Sequence, residues 1–270
     1  MMKRLWLWGL LVLGALPAGA ADRVERARRD KTAVVVKAFR DAGVAWPPEE
    51  LFVRAFKHER RLEVWGGDRG QPLRRVKTYP VCAASGVEGP KRREGDLQVP
   101  EGFYTLDQFN PYSNFHLSMR VSYPNESDRR LGQRPLGGAI YVHGNCVSIG
   151  CIAIEDGPIE ELYLMVLEAR ARMKRDVPFH IFPRRLDAAG LEALESLPEA
   201  TPELRAFWRG LEPGWRLFEQ TRRPPRVTVD SRTGAYAVQP ARVSRGPFRP
   251  RSASAACRHR SLCTRRVPRH

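Results

Sequence analysis

The chain has 270 residues, of which 42% are hydrophobic and 9% aromatic, and this composition excludes wholesale disorder because it can bury a core. Its 46 lysines and arginines exceed its 30 acidic residues and give a formal charge of +16. Residues 221–270 hold thirteen arginines, no lysine and one acid, Asp230, whereas residues 21–220 hold 31 basic and 29 acidic residues. The body of the protein is therefore nearly neutral, and the high total charge does not by itself indicate nucleic-acid binding.

The first twenty residues predict a cleaved secretory signal. Lys3 and Arg4 precede an apolar run over residues 5–16, and Ala18, Gly19 and Ala20 follow as a cleavage site. The run is shorter than the ~20 residues that a membrane-spanning helix needs. We expect an exported protein without a transmembrane segment after cleavage, located in the periplasm or cell envelope, where disulfides form. An uncleaved N-terminal anchor is the alternative.

The hydrophobic pattern predicts one helix followed by several strands. Charges alternate with apolar residues over 23–42, as in an amphipathic helix, and Gly43 follows as a stop. Runs rich in branched and aromatic residues predict strands over 51–56, 61–65, 73–81, 103–106, 116–123 and 138–143. A Gly-, Lys- and Arg-rich loop over 84–102 interrupts them, and loops of that length are usually functional or mobile.

Helical spacing returns in the second half of the chain. Apolar residues from Ile159 predict a helix to about residue 175, and a last strand is expected over 177–182. Thr201 and Pro202 form a helix start that leads into an amphipathic segment to residue 218. On that segment we expect Trp208 and Trp215 to pack against the domain rather than to stack on carbohydrate. Beyond residue 221 the periodicity stops, which predicts disorder.

The segment over 141–153 contains the residues best suited to chemistry. His143 ends an apolar strand, and Cys151 follows eight residues later, directly after Gly150. Acyl transfer by cysteine needs a base beside the sulfur and backbone N–H groups aimed at the developing oxyanion, which a preceding glycine helps to present. On spacing alone, structural roles for His143 and Cys151 remain the alternative.

This segment also carries a family resemblance. The run His143-Gly-x-Cys-x-Ser148-x-Gly-Cys151 resembles the active-site signature of the L,D-transpeptidase catalytic domain family of the YkuD type. Its short spacing from histidine to cysteine is similar to that of the YafK-like murein transpeptidase branch. Further blocks at 83–86, 89–91, 94–96, 100–104, 110–111 and 123–125 support the resemblance, which covers about residues 51–183.

The resemblance implies an α+β fold. We expect a mainly β L,D-transpeptidase catalytic domain, with a mixed β-sandwich-like sheet, flanked by N- and C-terminal helices. The organisation that follows is a signal peptide over 1–20, an N-terminal helical segment over 21–50, the catalytic domain over 51–183, C-terminal helices over 184–220 and a disordered Arg- and Pro-rich tail over 221–270.

The resemblance implies an exported cysteine acyltransferase that remodels the cell wall by L,D-transpeptidation at diaminopimelate of peptidoglycan stem peptides. Cys151 would be the nucleophile that forms a thioester, and His143 the proton donor and acceptor. The backbone of Gly144 would orient the imidazole, and the amides of Gly150 and Cys151 would line the oxyanion hole. No cofactor or metal is implied. The alternatives are an L,D-amidase or carboxypeptidase that releases a peptide or a wall-attached lipoprotein, and a non-catalytic wall-binding protein.

Two positions depart from the wider family pattern. A histidine commonly precedes the Gly-Cys pair and an Arg or Asn lies two residues after the cysteine, but this chain has Ile149 and Ala153 there. The Ala is shared by the YafK-like branch, yet it removes an obvious carboxylate-binding side chain. Candidate substrate-binding residues are Lys91, Arg92, Arg93 and Ser148. A solvated basic loop over 91–93 is an equal alternative.

Five cysteines leave at least one thiol without an internal partner. One pairing keeps Cys151 free: Cys82 with Cys146, and Cys257 with Cys263. A zinc site of His143, Cys146 and Cys151 lacks a convincing fourth ligand. A redox role for the last two is equally weakly indicated, since their spacing is not the thioredoxin-like one.

The remaining histidines and the tail carry weaker signals. We expect His58 and His116 in surface or packing positions, whereas His180 could approach the site from a neighbouring strand. The arginine-rich tail could attract any polyanion, but it lacks the interleaved aromatic residues that single-strand recognition uses. No specific nucleic-acid partner is therefore expected.

Overall fold

The computed structural model describes residues 19–241. The part of the chain that the structure describes forms five helices and eleven strands. The helices are α1 (Gly19–Asp41), α2 (Glu126–Leu131), α3 (Asp156–Met173), α4 (Ala188–Glu195) and α5 (Pro202–Thr221). The strands are β1 (Glu50–Phe56), β2 (Arg61–Gly67), β3 (Arg74–Pro80), β4 (Ala83–Ala84), β5 (Gly102–Asn110), β6 (Ser118–Val121), β7 (Tyr141–His143), β8 (Ile152–Ala153), β9 (Val177–Phe182), β10 (Arg226–Val229) and β11 (Tyr236–Gln239).

Nine strands form one mixed sheet, in the order β3-β2-β1-β9-β5-β6-β7-β8-β4. The β1–β9 and β7–β8 pairs are parallel, and the other pairs are antiparallel. The two edge strands, β3 and β4, are consecutive in the chain and only residues 81 and 82 separate them. Such a short connection requires the sheet to curl until its edges approach one another. The expected α+β class with a mixed sheet and flanking helices is confirmed.

Strand β1, near the middle of the sheet, is buried on both faces because its side chains alternate between two cores. In β1, every residue from Leu51 to Phe56 is buried. Because successive side chains of a strand point to opposite faces, Leu51 and Val53 join the larger core under α1 and α3, whereas Phe52 and Phe56 join aromatic clusters with α5. The nearly continuous apolar sequence of β1 is typical of a strand covered on both sides.

The C-terminal helix α5 closes the second face of the sheet. It begins as expected, with the Thr201 hydroxyl accepting a hydrogen bond from the Leu204 amide at 3.2 Å and Pro202 in the first turn. Trp208 is fully buried and donates its indole N–H to Glu101 at 3.0 Å. Trp215 is also buried. Both tryptophans therefore lie in packing positions, as expected.

The prediction of disorder from residue 221 onwards is wrong for the segment that contains β10 and β11. These strands pair antiparallel as a hairpin, which packs on α2 and β5. The Tyr236 hydroxyl accepts from the Asn125 side chain at 2.9 Å, and the Ser127 hydroxyl donates to the Gly234 carbonyl at 2.7 Å. The two strands have the sequences Arg-Val-Thr-Val and Tyr-Ala-Val-Gln, which are short strand patterns. The arginines and prolines around them made the whole segment look disordered in the sequence.

Several expectations fall outside the described residues. They concern the export signal over 1–18, the tail over 242–270 and the Cys257–Cys263 pair. Among the helices of residues 19–241, none combines the length and the apolar character needed to cross a membrane.

Candidate active site

The site lies where two short parallel strands meet. Val142 of β7 pairs with Ile152 of β8, and His143 pairs with Ala153. One residue before these pairs, Tyr141 lies opposite Cys151, and the Tyr141 amide donates to the Cys151 sulfur at 3.4 Å. Tyr141 and His143 are two residues apart on one strand, so they project to the same face. The structure thus places His143 at the end of β7 and Cys151 directly before the neighbouring strand β8, level with Tyr141.

His143 is held in one tautomer by the backbone. Its Nδ1 lies 2.5 Å from the carbonyl oxygen of Gly144, and because a carbonyl only accepts, Nδ1 carries the proton. Nε2 is then left with a lone pair. The ring is buried and packs against Phe115, with ring centroids 4.7 Å apart. Burial lowers the pKa of His143, and the hydrogen bond to Gly144 opposes this only in part. The imidazole is therefore a neutral base at neutral pH.

Gly144 is required by close packing. A Cβ at this position would lie 2.5 Å from Oδ1 of Asp156 and 3.0 Å from the carbonyl oxygen of Phe115. The same Asp156 oxygen accepts a hydrogen bond from the Asn145 amide at 2.8 Å. The first turn of α3 thus holds the backbone that orients His143.

Cys151 is the free cysteine of the described residues, and it is half-buried. Burial raises the pKa of its thiol, and the Tyr141 amide, which stabilises a thiolate, opposes this in part. With the pKa of the thiol raised and that of His143 lowered, the resting pair is a neutral thiol and a neutral imidazole. Such a pair suits general-base activation of the thiol better than a preformed ion pair.

The Ser148 hydroxyl organises the loop before the cysteine. It accepts hydrogen bonds from the amides of Gly150 at 3.3 Å and Cys151 at 2.9 Å, and it donates to the Cys151 carbonyl at 2.7 Å. The two amides expected to line an oxyanion hole therefore already have a partner. Ser148 acts in this structure on the loop backbone, which differs from the expected contact with substrate.

A disulfide fixes the middle of the same loop. Cys82 and Cys146 are bonded, with their Cα atoms 5.5 Å apart, as in the pairing that leaves Cys151 free. Cys146 is therefore not available as a thiolate for the zinc site considered above, nor as a redox partner of Cys151. The cluster of metal-ligand type within residues 19–241, Cys82, Cys146 and Glu155, loses both its thiolates to this bond.

Most of the basic loop is engaged internally. Lys91 is buried and binds Asp96 at 2.7 Å, and this carboxylate also accepts from the amides of Arg92 and Arg93. The Arg92 guanidinium lies over the Phe207 ring at 4.6 Å. Lys91 and Arg92 thus stabilise the loop, which contradicts their expected role in binding substrate. Arg93 alone of the three is exposed.

The two residues that depart from the wider family pattern, Ile149 and Ala153, have different surroundings. Ile149 is 81% exposed beside the cysteine, whereas Ala153 is fully buried on β8. A side chain at position 153 therefore has no room to reach solvent here, whereas the side chain at position 149 is open to solvent. Val147, also exposed, lies on the same loop.

The other histidines of residues 19–241 have partners other than His143 and Cys151. His58 contacts Glu88 at 2.9 Å, and His116 contacts Glu160 at 2.8 Å, in agreement with surface or packing roles. His180 is buried between Phe52 and Phe103 on β9, with β5 and β6 between it and β7. The expectation that it could approach the site is wrong, because neighbouring strands are about 4.8 Å apart and three such steps intervene.

Sequence reasoning missed the residues that support the site through the backbone or by packing. These are Phe115, Tyr141 and Asp156. Of these, only Asp156 could have been found from the sequence, because an acidic residue before Gly-Pro and a helical run indicates the start of a helix.

Known proteins share much of this sequence. The model of the L,D-transpeptidase catalytic domain (YkuD) matches residues 51–178. An Escherichia coli K12 protein named "Putative L,D-transpeptidase YafK" is 34% identical over 190 residues, which cover 70% of this chain and 73% of that protein. The chain belongs to the L,D-transpeptidase catalytic domain family. This family match spans β1 to the start of β9 and includes both His143 and Cys151.

Solved structures are similar at lower identity. Pgp2 from Campylobacter jejuni, described as a helical cell shape determining protein, is 18% identical, with a TM-score of 0.42 over 67% of this chain and 73% of that one. L,D-transpeptidase 1 from Mycobacterium tuberculosis is 15% identical, with a TM-score of 0.28 over 49% of this chain and 62% of that one. Because these scores are low, membership of the L,D-transpeptidase family rests on the sequence matches.

Proposed function

We propose that this L,D-transpeptidase family member is an exported cysteine acyltransferase that acts on peptidoglycan stem peptides in the periplasm or cell envelope. The observation that carries the proposal is the pairing of β7 with β8, which sets a free thiol beside a histidine whose Nδ1 is engaged by Gly144. Cell-wall remodelling, with an effect on cell shape, is the expected role.

In the proposed reaction, Nε2 of His143 takes the proton of the Cys151 thiol as the sulfur attacks the carbonyl on the L-centre of diaminopimelate. The tetrahedral intermediate collapses to a thioester, and the imidazolium returns its proton to the departing amine. An acceptor amine then attacks the thioester and releases the thiol, with His143 again removing a proton. If water takes the place of the amine, the product is that of an amidase or carboxypeptidase.

The oxyanion would be held by the amides of Gly150 and Cys151. In the resting loop these amides bind Ser148, so the substrate carbonyl must displace the serine hydroxyl to reach them. Ser148 would thus order the two backbone donors before the substrate arrives, and the donors would then exchange the serine oxygen for the substrate oxygen.

The test is incubation of the mature protein with purified muropeptides, with and without an amine acceptor, followed by mass spectrometry. A new cross-link that needs Cys151 indicates transfer. Loss of a terminal residue or of an attached peptide indicates hydrolysis, including release of a wall-attached lipoprotein if lipoprotein-bearing fragments are supplied. Intact-mass measurement of the protein should show the acyl adduct. A product pattern unchanged in Cys151→Ser would contradict the enzyme proposal and favour a wall-binding role.

A further inference from the structure

The loop between β5 and β6, residues 111–117, covers the ring of His143 with an aromatic side chain. The Phe115 ring lies 4.7 Å from the His143 ring, centroid to centroid, with the two planes 30° apart. His143 is 2% exposed, whereas Phe115 itself is 40% exposed. The proposed base is therefore shielded by a residue at the surface, and its contact with water depends on where this loop lies.

The same loop also contacts the backbone that orients His143. The Leu117 carbonyl accepts a hydrogen bond from the Gly144 amide at 3.2 Å, and the Gly144 carbonyl in turn engages Nδ1 of His143. A displacement of the loop would therefore affect both the cover over the imidazole and the backbone that fixes its tautomer.

Pairing within the sheet does not hold this loop. The last paired residues of β5 and β6 are Asn110 and Ser118, so the residues between them leave the sheet. Inside the loop, the Ser113 hydroxyl accepts a hydrogen bond from the Phe115 amide at 3.0 Å. Such a local hydrogen bond shapes the turn but does not fix its position relative to β7, so the anchors must come from other elements.

Helix α1 supplies an anchor on either side of Phe115. Nη1 of Arg23 donates to the carbonyl oxygens of Ser113 and His116, both at 2.9 Å. Hydrogen bonds from a charged donor are stronger than those between neutral groups. Arg23 is half-buried, and within residues 19–241 its guanidinium has no carboxylate partner. Its contacts are therefore directed at this loop.

Titratable groups from several elements lie around the loop and the imidazole. They are Arg23 and Lys31 on α1, His116 in the loop itself, Asp156 and Glu160 on α3, and Cys151 before β8. Glu160 is 2.8 Å from His116 and 3.6 Å from Lys31. The lowered pKa of His143 has burial as its cause, with the Gly144 carbonyl in opposition, and none of these charges contributes. Exclusion of water is therefore what the loop provides to this base.

We propose that Arg23 is a positioning residue of the candidate active site: it binds the carbonyls on either side of Phe115 and so holds that ring against the imidazole of His143. The inference rests on the proposed function in taking His143 as the base. Helix α1 lies before the family match over 51–178, so a segment outside the family domain would control the solvation of the base.

The test compares Arg23→Gln with Arg29→Gln in the mature full chain. Each variant removes one charge from α1, and Arg29 is an exposed residue without a contact to the loop. The first readout is the NMR titration of the His143 imidazole, whose signal is assigned by its loss in His143→Ala and which needs no substrate. The second readout is the pH dependence of Cys151-dependent muropeptide turnover.

For Arg23→Gln we expect the pKa of His143 to rise towards its ordinary value of about 6.5, because water reaches the ring. A smaller fraction of the imidazole is then neutral at pH 6, so kcat/KM should fall by about tenfold there and by less at pH 8. A purely structural loss would lower activity equally at both pH values. Arg29→Gln should change neither readout. Arg23→Lys should restore most of both, because the two bonds come from one nitrogen and an ammonium has three donors.

A double variant tests whether Arg23 acts through Phe115. Loss of the Arg23 charge would raise the pKa of His143 in any background, whereas loss of positioning has nothing left to act on in Phe115→Ala. We therefore expect Arg23→Gln to add little to Phe115→Ala in either readout. Thermal melting checks that every variant is folded at the temperature used.

An unaltered pKa of His143 in Arg23→Gln would overturn the proposal. So would an equal shift in Arg29→Gln, or an equal shift with and without Phe115, since charge alone would then explain the effect. If Arg23→Gln does not fold, Phe115→Ala still decides, because an unaltered pKa of His143 there contradicts the shielding. A protein without Cys151-dependent turnover would refute the proposed function, while the titration would still report on Arg23.

Discussion

Two buried histidines on one sheet differ in almost every respect that determines chemistry. His143 lies at the end of β7, a strand of three residues, and its surroundings are loops held by a disulfide and a serine hydroxyl. His180 lies in β9, next to the seven-residue β1, between aromatic rings, and its Nδ1 is buried without a hydrogen-bond partner. Burial alone therefore does not mark a functional histidine. His143 differs from His180 in having an engaged Nδ1 and a free thiol directly before the neighbouring strand.

The electrostatic surroundings of the two rings differ as well. Burial lowers the pKa of His180 to about 3, and the nearby charge of Arg54 acts in the same direction. Arg54 is itself buried and is compensated by Glu63 at 2.6 Å and Glu219 at 2.7 Å. The β1–β9 half of the sheet thus holds its charges in closed pairs, whereas the β7–β8 half leaves a thiol and an imidazole with proton-transfer capacity.

Substituting each histidine in turn is the most direct test of the difference between them. We expect His143→Ala and Cys151→Ser each to reduce turnover of muropeptides by at least about 1000-fold, because they remove the proposed base and the proposed nucleophile. His180→Leu should keep turnover within about twofold at pH 7.5, since Leu fills an apolar site. A His180→Leu protein that folds but is inactive would refute the assignment.

Removal of the disulfide tests how far the β7–β8 half depends on its cross-link. The bond joins residues 64 positions apart, and the chain-entropy estimate for a loop of that size is about 4 kcal/mol of unfolding free energy. We expect Cys82→Ser with Cys146→Ser to lose stability of that order in chemical denaturation. At temperatures where the variant is still folded, its activity should also fall, by more than the small unfolded fraction explains. An unaltered denaturation midpoint would contradict this.

The pH dependence of the unfolding free energy tests the burial of His180. A histidine with a depressed pKa in the fold contributes stability above its unfolded pKa of about 6.5, and this stability is lost as pH falls towards the folded value. With the pKa of His180 near 3, the loss should approach about 1.4 kcal/mol per pH unit between pH 6 and 4. Denaturation of His180→Leu should show a shallower slope in that window. Equal slopes would mean that His180 ionises normally.

The smallest expected effect concerns Ser148. Ser148→Ala should lower kcat by about tenfold with little change in KM, because the amides of Gly150 and Cys151 lose the group that orders them. Ser148→Thr keeps the hydroxyl and should restore most of the activity. A rise in KM with kcat unchanged would instead support direct contact with substrate.

The sequence predicted most of the long helices and strands, and it failed where contacts between distant segments determine the structure. The strands β1 and β2 have strong apolar runs, and α5 has a recognisable N-cap, so pattern reasoning located them. Short α2 was missed because its stability comes from a capping box between Asn125 and Asp128 rather than from an apolar stripe. The hairpin of β10 and β11 was missed because Tyr236 is stabilised by contacts from distant segments.

The same division applies to the site. The Cys82–Cys146 pairing, and with it the free thiol of Cys151, followed from compartment and parity. The internal engagement of Lys91 could not be foreseen, because nothing in a basic run tells whether an acid a few residues away, Asp96, folds back onto it. The same holds for Ser148, whose hydroxyl could bond either to substrate or to its own loop.

The buried carboxylate of Glu101 has a practical consequence for dividing this protein into parts. It accepts from Lys57 at 2.9 Å, from the Gly89 amide at 2.7 Å and from the Trp208 indole at 3.0 Å. One acceptor thus connects a strand end, the long loop and a helix that begins more than twenty residues after the family match ends. A fragment cut at the family boundary would lose Trp208 and leave this interior acceptor underbonded. Chimaeras and minimal expression fragments should therefore retain the chain through the β10–β11 hairpin.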